Sequence, residues 1–92
     1  MATREELRAL HNQRMELLKQ GRGFFRTSES PTGTVYRYEI RMIGGMIRDC
    51  TFSSDLIRPL HVDWHYPYKS DVYLAVDGWK LMDDETREEA QE

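Results

Sequence analysis

The sequence has 92 residues, of which 39% are hydrophobic and 32% are charged, a length that fits one domain, 1–92, with a modest core. Its five tyrosines, three phenylalanines and two tryptophans exclude a disordered chain, and the lack of any apolar run near ~20 residues argues against a membrane-spanning protein. The formal net charge of −3 argues against nucleic acid as the main ligand, so we expect a protein partner instead.

Residues 1–20 are predicted to form an α-helix. Thr3 and Glu6 have the spacing of a capping box, and Gly21 is a typical C-terminal stop. An apolar stripe at about 100° per residue contains Leu7, Leu10, Leu17 and Leu18. Arg14 falls near the middle of this stripe. In one interpretation, the methylene stem of Arg14 packs on the core while its guanidinium reaches out to a carboxylate. In the other, Arg14 belongs to a helix face that binds a partner.

Residues 21–33 are predicted to form a loop, because glycines, a proline and a Ser/Thr run interrupt any periodicity. Phe24 and Phe25 are expected to anchor this loop to the core. With Arg22 and Arg26 nearby, they resemble the basic and aromatic mixture that stacks on single-stranded nucleic acid. No RNA-binding motif accompanies them, so direct nucleic-acid binding is not expected.

Residues 34–52 are predicted to form a β-hairpin that turns at residues 44–45, both glycines. A two-residue turn would place Arg41 opposite Arg48, where like charges repel unless a carboxylate or an outside anion settles them. A three-residue turn would pair Met42 with Met46 and give one continuous apolar face. We prefer the second register, because burial of one face decides slips of one residue.

Cellular location is predicted from two features of the sequence. The single cysteine, Cys50, excludes an intrachain disulfide, as is usual for proteins of the reducing cytosol. The N-terminal residues are charged where a secretory signal would be apolar. We therefore expect a cytoplasmic protein.

The C-terminal half is predicted to add a third strand, a second hairpin and an acidic end. Residues 56–66 form the strand, which Pro59 interrupts. Residues 72–82 form the hairpin, with its turn at 77–78 (Asp-Gly). The inward side of this hairpin is expected to carry Val72, Leu74, Val76, Trp79 and Leu81. Residues 83–92 are an exposed acidic tail or a short helix.

One strand face carries the residues most like a chemical site. Alternation along residues 61–66 places His61, Asp63 and His65 on the same side of a strand. Imidazole and carboxylate groups could bind a divalent metal or perform acid–base chemistry. The simpler interpretation is the polar face of an edge strand. No motif for a nucleophile accompanies these residues, so we expect a protein without a cofactor that is not an enzyme.

Together these elements predict an α+β fold, with an N-terminal helix packed on one face of an antiparallel sheet of about five strands. The other sheet face is expected to carry Arg37, Arg41, Tyr73 and the row of 61, 63 and 65, and to remain open to a partner. The predicted partner-binding residues are Arg14, Arg37, Arg41, Arg48 and Tyr73.

Three functions are compatible with this pattern. The first is a non-enzymatic interaction protein that binds a macromolecular partner through an Arg/Tyr-rich sheet face and can form a homodimer. The second is an acidic inhibitor of a nucleic-acid-handling protein, acting through residues 83–92. In composition alone, the chain resembles small phage-encoded proteins of this type. The third is a metal-dependent enzyme that uses the His-x-Asp-x-His strand.

Overall fold

The computed structural model describes residues 2–67 and 72–82. The elements in these ranges are α1 (Arg4–Lys19), β1 (Phe24–Glu29), β2 (Val35–Ile43), β3 (Met46–Ser53), β4 (His61–His65), a 3₁₀-helix (Tyr73–Ala75) and β5 (Lys80–Leu81). The five strands form one antiparallel sheet in the order β4-β3-β2-β1-β5. The predicted α+β fold is therefore confirmed. The predicted acidic segment 83–92 lies outside the described residues.

Helix α1 begins and ends close to where local signals predict. The Thr3 hydroxyl accepts a hydrogen bond from the Glu6 N–H at 3.1 Å, and the Thr3 N–H donates to the Glu6 carboxylate at 3.3 Å. This capping box satisfies two N–H groups that a helix start leaves without partners. Gly21 has a φ of 87° and donates its N–H to the Leu18 carbonyl at 2.9 Å, which closes the C-terminal end.

The hairpin between β2 and β3 has a two-residue turn at Gly44 and Gly45. Ile43 lies opposite Met46, and both glycines have positive φ angles, 61° and 81°. These angles are the ones that a primed two-residue turn requires. The preference for a three-residue turn is therefore wrong.

Burial of Ile47 explains why the two-residue register prevails. Ile47 lies opposite Met42, on the same face as Ile40, and their exposed fractions are 0% and 1%. A three-residue turn would place Ile47 opposite Arg41, on the other side of the sheet from Ile40. Since the pleat alternates strictly, that slip would take a fully buried isoleucine out of the core.

Strand β1 lies inside the segment predicted to be a loop, and that prediction is wrong. Along its length β1 pairs with β2, from Phe24 opposite Ile40 to Glu29 opposite Val35. Phe24 is 4% exposed and belongs to the core. The turn signals in this segment apply only to residues 30–33, where the Gly33 N–H donates to the Ser30 carbonyl at 3.0 Å.

Residues 72–82 do not form a hairpin, which corrects another prediction. A turn does occur at the predicted position, where Gly78 has a φ of 98°. The chain before it forms the 3₁₀-helix, and the chain after it pairs with β1, Leu81 opposite Phe24. Leu74 is fully buried, but Val76 is 47% exposed, against its predicted place in the core. An isolated two-stranded hairpin is only marginally stable, whereas pairing with β1 extends the sheet over the core.

The predicted third strand is shorter than expected. Only its second part is a strand, since β4 begins at His61, after Pro59, and residues 54–60 form an exposed connection. Proline cannot donate a ladder hydrogen bond, which explains why the pairing starts beyond it.

The core lies on one side of the sheet, which we term the helix face. Its central residues are Met15, Leu18, Phe24, Ile40, Ile47 and Leu74. Helix α1 and the 3₁₀-helix pack on this side. We term the opposite side the open face, since no helix or strand within 2–67 and 72–82 covers it. In these same ranges, no helix combines the length and apolar character needed to cross a membrane.

Candidate functional site

The open face carries three of the predicted partner-binding residues. Arg41 lies opposite Arg48, and Arg48 lies opposite Trp64, so the three form a row across β2, β3 and β4. Arg37 follows on the same side of β2, opposite Phe52. The tyrosines of β2 alternate onto the helix face, so this surface is rich in arginine, tryptophan and phenylalanine rather than tyrosine.

Arg37 is held by contacts within the sheet. Its Nε donates a hydrogen bond to Glu39 Oε2 at 2.7 Å, and its guanidinium lies 4.2 Å from the centre of the Phe25 ring. The side chains of this ion pair are 28% and 23% exposed. The charge of Arg37 is therefore compensated inside the chain.

Arg41 and Arg48 differ from Arg37 in this respect. The side chain of Arg41 passes over Gly23, and its Nη2 lies 3.1 Å from the sulfur of Met82. A Cβ at Gly23 would lie 3.1 Å from Arg41 Cγ, so glycine leaves room for this path. The Nε of Arg48 is buried without an acceptor among the described residues. Neither arginine forms an ion pair with a carboxylate of the described chain.

Exposed apolar side chains occur on β4, beside Arg48, and in the connection that precedes this strand. Trp64 and Val62, on the open face of edge strand β4, are 47% and 45% exposed. The connection before β4 exposes Leu56, Ile57 and Leu60. Apolar groups gathered on a surface and bordered by charge are typical of interaction sites.

Arg14 lies far from the open face. Its Nη1 donates hydrogen bonds to the carbonyl oxygens of Leu74 at 2.5 Å and Val76 at 2.9 Å. The acceptors of these hydrogen bonds are two backbone carbonyls, whereas the sequence predicted a carboxylate. Burial lowers the pKa of the Arg14 guanidinium, and the charge of Asp77 acts in the opposite direction. Arg14 therefore joins α1 to the segment that follows the 3₁₀-helix.

Tyr73 also lies on the helix face, so the prediction that it shares a surface with Arg37 and Arg41 is wrong. Its ring stands edge-on to His11, 5.0 Å between centroids, and to His65, 5.4 Å between centroids. The Tyr73 hydroxyl is buried without a hydrogen-bond partner in the described part of the chain. Burial, aided by the charge of Asp49, raises the pKa of Tyr73 far above its ordinary value.

Tyr73→Phe should change how stability depends on pH. At neutral pH we expect a free energy of unfolding that is unchanged or higher by up to about 1 kcal/mol, because an unpaired buried hydroxyl is removed. In the native protein a raised tyrosine pKa contributes stability below about pH 10, which is lost as the pH rises from there towards the folded-state pKa. The variant should therefore lose less stability between pH 7 and about pH 10.5 in urea unfolding.

Tyr66→Phe is the matched control for this comparison, since Tyr66 is 58% exposed. It should keep the alkaline loss of the native protein. The same alkaline loss in Tyr73→Phe would contradict a buried, neutral Tyr73.

A cleft of about 290 Å³ lies on the helix face, between the sheet and residues 72–79. We term this space the cleft. Its lining residues include Arg26, Tyr38, Asp49, Asp63, Tyr73 and Trp79, together with Thr51 of β3 and His61 of β4. Strands β1 to β4 each contribute a side chain. Polar groups of both signs therefore meet aromatic rings in one small space.

The acidic side of the cleft lies on β3 and β4. Asp63 is opposite Asp49 in the register. Asp49 Oδ2 lies 2.6 Å from His65 Nε2, a hydrogen bond that fixes the orientation of both side chains. Asp63 is exposed and forms no ion pair within residues 2–67 and 72–82.

The predicted metal-binding row lies on one face of β4, as its alternation indicates. That face is the helix face, so the prediction that the row shares a surface with Arg37 and Arg41 is wrong. His61, Asp63 and His65 are opposite Thr51, Asp49 and Ile47. A strand rises about 3.3 Å per residue, so the ends of the row lie roughly 13 Å apart, too far for one ion to bind all three. No group of three or more His, Cys, Asp or Glu among the described residues could hold a metal ion. The metal site stays a prediction.

Sequence reasoning missed Arg26 and Trp79 as site residues. The Arg26 guanidinium lies 4.2 Å from the Tyr38 ring centre and 5.3 Å from that of Trp79. Alternation of Phe24 and Arg26 on one side of a strand is the available signal, but the glycines and proline around them favour a loop. For Trp79 the sequence predicts a place in the core of a hairpin that does not form.

Two regions of the described chain are therefore candidate sites. One is the arginine and tryptophan row on the open face, and the other is the cleft on the helix face. Comparisons of the chain with protein-family models, with curated proteins and with solved structures found no match.

Proposed function

We propose that this chain is a non-enzymatic interaction protein that binds an acidic segment of a protein partner through the open face. The observation that carries the proposal is the Arg41–Arg48 pair. The two arginines are directly opposed across β2 and β3 and have no carboxylate partner in the described chain. A partner carboxylate beside them would relieve the repulsion between like charges.

The state of Arg48 supports the same occupant. Its Nε is buried without an acceptor among the described residues, and a buried donor left unpaired costs about 1–3 kcal/mol. Reorientation of the Arg48 side chain towards an oxygen of a partner would remove this penalty. Charge-assisted hydrogen bonds from arginine to carboxylate are also stronger than neutral ones.

Trp64 and Val62, on the open face of β4, supply the apolar part of such an interface. Tryptophan and arginine are the residue types that most often dominate binding energy. Trp64 lies opposite Arg48, so a partner that contacts one also reaches the other. The expected ligand is therefore an acidic segment that also carries apolar side chains.

A double variant, Arg41→Ala with Arg48→Ala, tests the proposal. The probe is a short fluorescein-labelled peptide of Glu, Asp and Leu residues, titrated by fluorescence anisotropy. We expect binding to weaken about tenfold or more, since each lost charged hydrogen bond is worth about 1.5–3 kcal/mol. Binding by the native chain should also weaken as salt rises.

Two controls separate binding from stability. Arg37→Ala removes an arginine of the same face that already pairs with Glu39, so it should reduce binding less. Lys19→Ala removes a charge from α1, on the other side of the sheet, and should not affect binding. The double variant should not lose stability, and its free energy of unfolding should rise by up to about 1–3 kcal/mol, because the repulsion and the unpaired donor are removed. An equal loss of binding in Lys19→Ala would contradict the proposal.

The same variants test whether a second copy of the chain occupies the open face. Light scattering of the native protein would then give a dimer, and the double variant would give a monomer. A dimer of this kind that does not bind the acidic peptide would replace the acidic partner with a second copy.

A further inference from the structure

Three residues that line the cleft carry a buried donor without a partner. The described residues have four buried side-chain polar atoms without a partner, and three of them belong to cleft residues: Arg26 Nε, Tyr73 Oη and Trp79 Nε1. Buried donors are normally hydrogen-bonded, so a cluster of exceptions in one place calls for an acceptor. An oxyanion of a ligand at the Arg26 end would supply an acceptor for Arg26 and Trp79, once these side chains turn towards it.

The surroundings of Arg26 suit its guanidinium to binding an oxyanion. Its guanidinium is stacked beside Tyr38 and Trp79, which holds the charge in place without a carboxylate. Only its Nε is buried and unpaired, which leaves the terminal nitrogens to meet a ligand first. An arginine fork of this kind matches the geometry of a carboxylate.

The opposite side of the cleft has the opposite charge. Asp49 uses one carboxylate oxygen, Oδ2, to bond His65, and Asp63 lies beside it across β3 and β4. Arg26 forms an ion pair with neither aspartate in the described structure. Strands are about 4.8 Å apart, and Asp49 lies two strands from Arg26 and two residues out of line with it, so their backbones are separated by roughly 12 Å.

These charges exclude ligands of a single sign. A simple anion would meet two aspartates at one end, and a simple cation would meet Arg26 at the other. A cleft of about 290 Å³ is at the lower limit of ligand-binding cavities, which restricts the occupant to a small molecule. The aromatic rings of Tyr38 and Trp79 offer an apolar surface between the charged ends.

We propose that the cleft binds a small zwitterion, an aliphatic amino acid whose carboxylate and ammonium groups are separated by several methylenes. Its carboxylate binds Arg26 and draws in the Trp79 N–H. Its ammonium group binds Asp49 and Asp63. The methylenes lie along the aromatic rings. This site is independent of the open face and lies on the other side of the sheet.

Proton–nitrogen correlation NMR with 6-aminohexanoate tests the site. We expect a saturable shift of the Trp79 indole N–H, while the Trp64 indole N–H, on the open face, stays in place as an internal control. A Trp64→Phe variant assigns the two signals. Hexanoate and hexylamine each lack one charge and should bind about tenfold more weakly or worse. The shorter 4-aminobutyrate should also bind more weakly, because it cannot span the two ends.

Variants of the protein complete the test. Arg26→Gln and Asp63→Asn should each weaken 6-aminohexanoate binding about tenfold, whereas Arg58→Gln, in the exposed connection before β4, should not. The Arg41→Ala and Arg48→Ala double variant should bind it normally, which separates this site from the open face. No saturable shift of the Trp79 indole up to about 10 mM ligand would overturn the proposal, and so would equal binding of hexanoate.

Discussion

Leu74→Ala is expected to lower the free energy of unfolding by about 3 kcal/mol, because it removes a fully buried side chain. Leu74 packs between α1 and the sheet, beside Leu18 and Ile47. Its backbone N–H donates to His11 Nδ1 at 3.2 Å, which ties the 3₁₀-helix to α1. A neighbourhood fixed in this way cannot collapse into the cavity that alanine leaves.

Urea unfolding measures this effect, and Val76→Ala is its matched control. Val76 is two positions further along the chain and 47% exposed, so its truncation should cost less than about 1 kcal/mol. For a chain of this size, a loss of about 3 kcal/mol lowers Tm by roughly 12–24 °C. Equal losses in both variants would favour the hairpin that the sequence predicted, in which both side chains face inwards.

Arg14→Met is expected to lower the free energy of unfolding by about 2–3 kcal/mol. Methionine keeps an unbranched apolar stem but donates no hydrogen bond, so the carbonyl oxygens of Leu74 and Val76 lose their guanidinium donor. The Leu74 bond is partly buried, and water would replace it poorly there. The loss should therefore exceed that of an exposed arginine.

Lys19→Met is the control for Arg14→Met, since Lys19 lies exposed at the end of the same helix and pairs with Glu16 at its surface. It should change stability by less than about 0.5 kcal/mol. Binding of the acidic peptide should be unaffected in Arg14→Met at temperatures where the variant is folded. Native stability combined with lost peptide binding would instead place Arg14 in the partner surface, as the sequence predicted.

The two candidate surfaces are separated by the sheet itself. Because side chains alternate along a strand, Asp49 belongs to the cleft while its neighbour Arg48 belongs to the open face. Ligands of the two surfaces need not compete. A change at one surface can therefore be tested without removing the other.

Local signals in the sequence determined several elements correctly. The capping box of Thr3 and Glu6 and the stop at Gly21 define α1, because these contacts lie within a few residues of each other. Turns occur at 44–45 and at Gly78, because glycine adopts positive φ without a steric penalty. The alternation of β4 placed His61, Asp63 and His65 on one face, as the register has it.

The partner of each segment could not be predicted locally. β1 has mostly polar residues after its two phenylalanines, and its strand character depends on pairing with β2. β5 is two residues long, and it forms because its backbone pairs with the free edge of β1. The hairpin register was decided by the burial of Ile47, which depends on where α1 packs.

The candidate sites also depend partly on local sequence and partly on tertiary structure. The sequence by itself determined that arginines 37, 41 and 48 lie in one predicted hairpin and that a single helix leaves a sheet face uncovered. Only the tertiary structure decided which side chains share a face. A shift of one residue exchanges the two faces of a strand, and the cleft brings Arg26, Asp63 and Trp79 together from distant parts of the chain. Long-range pairing and burial set these positions, and neither is encoded within a short window of sequence.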